Sequence, residues 1–395
     1  MDEAQVTVAV EQVRLLAYRR LRRLRYSPRV AALITDILLY AQIGGNSQGV
    51  LKLLRSGTGS LADTPGDEAD DQQEPRTAAA YRDELAALPC GLFEAPRQLP
   101  QSRKARLTEC NPWTLHIDGR GENAMVVMGL ATAGVLSRAR AHGIGLAGTC
   151  GTYTSTGAVG YYARWIAQCG CIGLVCSGSS PHVAPASCAE ALLGTNPLAW
   201  AAPLADADGA TEPLVFDMST SAITYWEVGA AAAAQQPLPP GVAIDRHGRA
   251  TRDPAAVEAL LTVAGWKGTG LSLLVEVLTG PLVGATCAST DDSEGVQRNW
   301  GNVVVALDPG AFGAGLGSDD DHRRQVIGGI TALVQRIRSA RPDDQHERPA
   351  MVGDRSAARR RNARRTGAMH MPPWLLHELQ QAVDRDDDGG MGERE

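Results

Sequence analysis

The chain has 395 residues, enough for two or three lobes around a real core. Its 44% hydrophobic content is that of an ordinary globular protein, and a net charge of -6 argues against a general nucleic-acid binder, which needs a basic surface. The basic runs at residues 19–25 and 359–365 read as solvated helix faces. No apolar run approaches the roughly 20 residues that span a bilayer and the N-terminus lacks a secretory apolar core, so a cytoplasmic protein without membrane contact is expected. The eight cysteines form no CxxC pair, and most have apolar or small neighbours, so neither a metal site nor a disulfide framework is expected.

In chain order, Val10, Val13, Leu16, Leu21 and Leu24 among arginines predict an amphipathic helix over residues 8–24. Ser27 and Pro28 read as N-cap and first position of a second helix reaching about Tyr40, broken by the glycines at 44, 45 and 49; a helical pattern then resumes over 50–54. Residues 57–76, small and acidic, read as a surface loop. A strand is expected at 115–119, a buried helix at 123–141 and a strand at 143–147. The His116/Asp118 pair lies on one face of the first of these strands.

Residues 157–203 form the stretch around which the chain is organised. Tyr161, Tyr162, Trp165 and Ile166 at helical spacing lead to an apolar strand at 171–176, then to a loop of serines with Pro181 and Pro185. The loop closes on Gly194-Thr195-Asn196-Pro197, where the glycine permits close backbone approach and the proline is expected to hold Asn196 extended. Exposed amides and hydroxyls beside a strand end suit a polar ligand such as a nucleotide; an ordinary turn is the alternative. Short strands at 198–202 and 214–216 flank a turn at 206–209, and a helix ends at 238–241. Trp266 to Gly270 precede an apolar helix at 271–278. A strand at 302–308 and helices at 319–338, 359–365 and 373–383 complete the chain before a charged tail from Asp384.

The order of Gly157 to Tyr162, the Pro181/Pro185 loop, Gly194 to Pro197, then Phe216-Asp217-Met218-Ser219-Thr220-Ser221 and Gly265-Trp266-Lys267-Gly268 resembles the type-2 malate/L-lactate dehydrogenase family. That family also holds ureidoglycolate and sulfolactate dehydrogenases and the piperideine/pyrroline-2-carboxylate reductases. The resemblance implies an α/β fold with a mixed, mostly antiparallel, non-Rossmann nucleotide-binding sheet and a helical N-terminal region, which accounts for the absence of an early GxGxxG motif. The divisions it suggests are a helical region (1–56), a variable loop and linker (57–110), a central region with the cofactor segments (111–300), a C-terminal region packing on the substrate lobe (301–383) and a disordered tail (384–395). A homodimer using NAD or NADP on a small carboxylate substrate is implied.

By the same resemblance, Gly194, Thr195, Asn196, Asp217, Thr220, Ser221, Lys267 and Gly268 would hold the cofactor, while Ser47 and Lys52 would face the substrate, Lys52 standing where the family has arginine. Glu227 stands where lysine is usual. The family's histidines are replaced by Gln48 and Ser155, which hydrogen-bond but do not titrate near neutral pH. Losing general acid/base help costs roughly 10²- to 10⁴-fold in rate. A substrate that arrives protonated, such as an iminium carboxylate, escapes that loss; otherwise Tyr153, Tyr161 or His182 would have to supply the proton. The expected activity is therefore hydride transfer to C2 of a 2-imino or 2-oxo carboxylate, with a catalytically silent nucleotide- or protein-binding scaffold as the second reading.

Overall fold

The computed structural model describes residues 5–46, 48–54, 77–88, 92–96, 102, 104–205, 212–287, 299–313, 318–344 and 348–387. The loop expected at 57–76, the turn at 206–209 and Ser47 lie outside them. The chain opens with strand β1 (Val6–Ala9), then helices α1 (Val10–Arg23), α2 (Pro28–Gly44) and α3 (Ala78–Ala86), strands β2 (Arg106–Asn111) and β3 (Thr114–Asp118), helix α4 (Ala124–His142) and strand β4 (Ile144–Thr152). Next come α5 (Gly160–Gln168), β5 (Ile172–Ser177), β6 (Val183–Ala184), β7 (Leu198–Ala202), β8 (Leu214–Met218), α6 (Tyr225–Ala233), β9 (Ala243–Ile244), β10 (Ala259–Leu261) and α7 (Trp266–Thr279). Strand β11 (Trp300–Leu307), α8 (Asp319–Arg338), α9 (Asp354–Thr366), β12 (Ala368–Met371) and α10 (Pro373–Asp387) finish it.

A seven-stranded sheet in the order β2-β3-β4-β11-β5-β7-β8 forms the centre, antiparallel except between β3 and β4. This is the mixed, mostly antiparallel sheet expected. A small sheet, β6-β10-β9, carries the loops around Pro181 and Pro185, and β1 pairs with β12. The expected division at residue 300 coincides with the start of β11, the middle strand of the large sheet. Residues 354–387 join the N-terminal helices: α9 and α10 pack on α2 and α1, because their apolar residues Leu375 and Leu379 share the core with Val13 and Leu21. The helix predicted to stop at Val383 continues to Asp387.

Helix α2 explains the position of this lobe. Its residues 31–41 are all buried, because the segment is apolar around its whole circumference and other elements enclose it. Proline enters at the first position, where its missing N–H costs nothing, but the expected Ser27 cap makes no side-chain bond; the exit is set by Gly45 in a left-handed conformation, φ 78°. Helix α4 is long and apolar enough to cross a bilayer by length and composition, yet 61% of that window is buried inside the protein, as suits the helix lying on the central sheet.

One acid interrupts the α2 interior. Asp36 accepts from Arg14 Nε at 3.3 Å, and burial pushes its carboxyl up to about 6 despite that guanidinium. A raised folded-state value means that the native state holds the proton more tightly than the unfolded chain. The resulting stabilisation is complete below the model-compound value of 3.8 and disappears as the pH rises through about 6. Urea unfolding should therefore show this acid removing about 2–3 kcal/mol between pH 4 and 7, and Asp36→Asn should flatten that component of the profile.

Candidate functional site

The cofactor segments expected from the sequence meet in space. Thr220 N–H donates to Thr195 O at 2.9 Å, and Val263 N–H, just before α7, donates to Thr220 O at 2.9 Å. The Thr220 and Ser219 hydroxyls also donate to Thr195 O, at 3.1 and 2.9 Å. Ser221 bridges to Thr262 and donates its hydroxyl to Ile223 O at 2.7 Å. Gly194, Thr195, Asn196, Thr220, Ser221, Lys267 and Gly268 thus belong to one constellation. Gly268 is required by the close approach: a Cβ there would lie 2.0 Å from Val263 O.

The loop is clamped from α7. Asn196 Nδ2 donates to Glu276 Oε1 at 2.8 Å and to Ser272 Oγ at 3.0 Å, and Gly194 N–H donates to the same Glu276 oxygen at 3.1 Å. Thr269 Oγ1 accepts from Ala186 N–H at 2.9 Å, holding the Pro185 loop. The buried side of α7 is thus largely polar, with Thr269, Ser272, Glu276 and Thr279 beside the apolar Val275, where an apolar helix was expected. These anchors were missed by the sequence reading, although the spacing of the four residues, three and four apart, is the signal of a single helix face. The helix also begins at Trp266, not at Leu271, which places Lys267, exposed, in its first turn.

Asn196 departs from expectation. Its φ is +42°, a left-handed value, where Pro197 was expected to leave it extended. Proline disfavours only the right-handed helical region of the residue before it, and asparagine tolerates the left-handed one. The side-chain bonds to α7 fix that choice. Asn196 is fully buried, and its Oδ1 has no hydrogen-bond partner among the described residues; neither has Ser180 Oγ, buried in the same loop region. Two orphaned polar atoms beside this turn fit a polar ligand.

Asp217 is placed apart. Its Oδ2 accepts from Gly160 N–H at 3.0 Å, at the start of α5, and burial pushes the carboxyl up to about 6 against the lowering effects of that bond and of Arg360. It caps the start of α5 from β8, whereas it was expected to hold the cofactor. Glu227 completes a capping box with Thr224 at the start of α6.

The second constellation lies where β4 leads into α5. Ser155 Oγ donates to Gln48 Oε1 at 3.2 Å, so the two residues standing where the family has histidines touch across 107 positions of sequence. Gly157 N–H donates to Ser155 Oγ at 3.2 Å, and Tyr162 Oη donates to Thr156 O at 2.8 Å, which ties this loop to α5. Lys52 follows Gln48 on the next turn, half-buried; burial lowers its pKa, and it forms no ion pair among the described residues. Tyr161 is buried edge-on to Tyr40 and Tyr162. His182 immediately precedes β6 of the small sheet, its ring 4.7 Å from that of Tyr225, and His116 Nε2 contacts Val283 O at 3.0 Å. The structure therefore pairs Gln48 with Ser155, places Lys52 half-buried four residues after Gln48, and seats Tyr161 and His182 elsewhere.

A profile of the malate/L-lactate dehydrogenase family matches residues 97–380, and the chain belongs to that family. The ureidoglycolate dehydrogenase (NAD(+)) of Escherichia coli is 35% identical over 213 residues, covering 52% of this chain and 59% of that protein, so the match spans little more than half of that relative. A delta(1)-pyrroline-2-carboxylate/delta(1)-piperideine-2-carboxylate reductase of Pseudomonas aeruginosa is 26% identical over 361 residues, 88% of this chain and 95% of that one. Among solved structures, a dehydrogenase from Sinorhizobium meliloti superposes with a TM-score of 0.72 at 26% identity, over 96% of this chain and 99% of that chain. The delta1-piperideine-2-carboxylate reductase from Pseudomonas syringae gives 0.68 at 23% identity, over 95% and 99%, a likeness of fold alone.

The clamp on Asn196 has a measurable weight. Asn196→Ala loses hydrogen bonds to a carboxylate and places a Cβ-bearing residue without a local partner at positive φ, so denaturant unfolding should show a loss of about 2–4 kcal/mol. Asn196→Gly, free of the backbone penalty, should recover about 1 kcal/mol of that.

Proposed function

We propose that this member of the malate/L-lactate dehydrogenase family reduces a small 2-imino carboxylate at C2 with NADH or NADPH. The observation that carries the reading is the Ser155–Gln48 hydrogen bond. Where this chemistry on a ketone needs a titrating acid/base, the chain places a hydroxyl and an amide, which orient a substrate but do not deliver a proton near neutral pH. An iminium substrate needs none: when bound, the nicotinamide supplies a hydride to C2, and the C=N electron pair moves onto nitrogen to give a neutral amine. Lys52, half-buried and without an ion pair among the described residues, supplies the charge for the carboxylate. The same reading covers a 2-oxo acid only at a much lower rate.

The residues for the dinucleotide are present. The start of α7 has no side-chain cap and carries Lys267, so its N–H groups and the ammonium suit a diphosphate. Asn196 Oδ1 and Ser180 Oγ remain for polar contacts. The relatives named as reductases and dehydrogenases support this reading over a silent scaffold.

We also propose a homodimer. The outward side of α7 is apolar: Trp266 is 71% exposed, Val277 56% and Leu273 and Leu274 49% each. An uncharged stripe along one helix is self-complementary across a twofold axis, and its exposure on a lone subunit is unfavourable. The exposed thiols of Cys110 and Cys188 suit a reducing compartment, which supports a cytoplasmic location.

Fluorescence titration with NADH and NADPH, followed by turnover of cyclic imine carboxylates beside pyruvate and oxaloacetate, tests the activity. The imine should turn over and the 2-oxo acids lag by about 10²- to 10⁴-fold, with Gln48→His/Ser155→His narrowing the gap. Binding without turnover of any substrate favours the silent scaffold, and binding of neither cofactor removes the reductase reading. For the dimer, light scattering should report twice the chain mass, falling to one with Leu273→Glu/Val277→Glu; a monomeric parent protein sinks that part.

A further inference from the structure

The cofactor turn is held by a residue outside the constellation that the sequence offered. We propose that Glu276 is a positioning residue, whose carboxylate fixes Gly194 and Asn196 in the conformation that meets the dinucleotide; this rests on the cofactor reading above. A single oxygen, Oε1, accepts both from the Gly194 backbone N–H, at 3.1 Å, and from Asn196 Nδ2, at 2.8 Å. Glu276 is 7% exposed, so these bonds form away from bulk water, where a misplaced acceptor is costly.

The direction of the argument comes from Asn196. Its amide group is turned into α7, with nitrogen to Glu276 and Ser272, and this leaves Oδ1 as its one polar atom without a partner among the described residues. Rotating the side chain would hand the nitrogen to the ligand side and the oxygen to a carboxylate, which cannot donate. Glu276 therefore sets which end of the Asn196 amide packs into α7 and leaves Oδ1 buried on the Gly194 side of the turn. Gly194 is constrained by the same packing, since a Cβ there would lie 2.3 Å from Asn196 Oδ1 and 2.5 Å from Ser179 O. Because the Glu276 side chain faces the turn's own donors, it acts through the turn and not on the reacting atoms.

Two variants separate position from charge. Glu276→Asp keeps the charge and withdraws the oxygens by one methylene; Glu276→Gln keeps the reach and an acceptor oxygen but removes the charge. Loss of positioning in Glu276→Asp should weaken NADH or NADPH binding, read by fluorescence titration, about 10- to 100-fold. It should raise the cofactor KM while leaving kcat at saturation little changed, and Glu276→Gln should stay close to the parent. Any other pattern overturns the proposal: both variants unchanged, both equally weakened, or Glu276→Gln the weaker. Amide hydrogen exchange gives a readout independent of the ligand, with the Gly194 amide exchanging faster in Glu276→Asp and not in Glu276→Gln. If the parent protein binds neither cofactor, the cofactor reading fails, and with it the ligand half of this proposal. The exchange pattern then still decides whether Glu276 holds the turn.

Discussion

The hydrogen bonds from Gly194 and Asn196 to Glu276 are the constraint on which the site depends, because they turn α7 inside out. A helix in a globular protein ordinarily buries its apolar stripe and exposes its polar one. Here Thr269, Ser272, Glu276 and Thr279 face inward while Trp266, Leu273, Leu274 and Val277 face outward. Burying the polar side is tolerable only because the turns opposite it supply backbone and amide donors that otherwise would have none. The loops need the helix and the helix needs the loops. The apolar residues so displaced lie exposed on the opposite side of the helix.

The other half of the molecule is held by a different kind of interaction. Arg164 forms two 2.7 Å bonds with Glu212, both residues almost fully buried, and Arg360 lies 4.5 Å from the Tyr40 ring centre on α2. Burial works against the Glu212 charge, but the hydrogen bonds from Arg164, with the nearby charges of Arg164, Arg360 and Arg361, hold its pKa below the ordinary value. This links α5, β8 and α9 to α2, and so fixes the helix whose C-terminal end delivers Gln48 to Ser155. Such pairs cost about as much in desolvation as they return. Their contribution here is to register, since a guanidinium fork and a carboxylate meet well in only one alignment.

What the sequence disclosed, and what it withheld, follows the range of the interactions. Periodicity is local, so α1, α2, α4 and α8 were legible within a few residues at their ends, and the segments of Thr195 and Thr220, distant in sequence, are joined by hydrogen bonds, with Val263 just before α7 bonded to Thr220. The N-cap at Ser27, the early end of α10 and the late start of α7 were misjudged because caps depend on partners that composition does not show. Asn196 was misread for a sharper reason: the rule about residues before proline speaks of one forbidden region, and the choice among the rest was made by Glu276, 80 residues away. The shared face of His116 and Asp118 was legible on the strand, but the contact of His116 Nε2 with Val283 O, from the turn after α7, lies 167 positions away and was not.

The two halves bear on reactivity in different ways. The turn that α7 clamps keeps its hydrogen-bond frame and, on Asn196, a buried carbonyl without a partner among the described residues, whereas the Gln48–Ser155 pair carries no group that titrates near neutral pH. A chain selected only for keeping its shape would have no reason to treat the two regions differently. At Gln48 and Ser155 hydrogen bonding and side-chain contact across 107 positions are present and titration near neutral pH is not, which agrees with the proposed imine substrate. Hydride addition to a cation makes that distinction, because the charge that would otherwise be neutralised by an acid arrives on the substrate itself. The half-buried Lys52 fits the same proposal: a compact cation without an ion pair among the described residues suits the carboxylate of such a substrate better than it suits an isolated iminium.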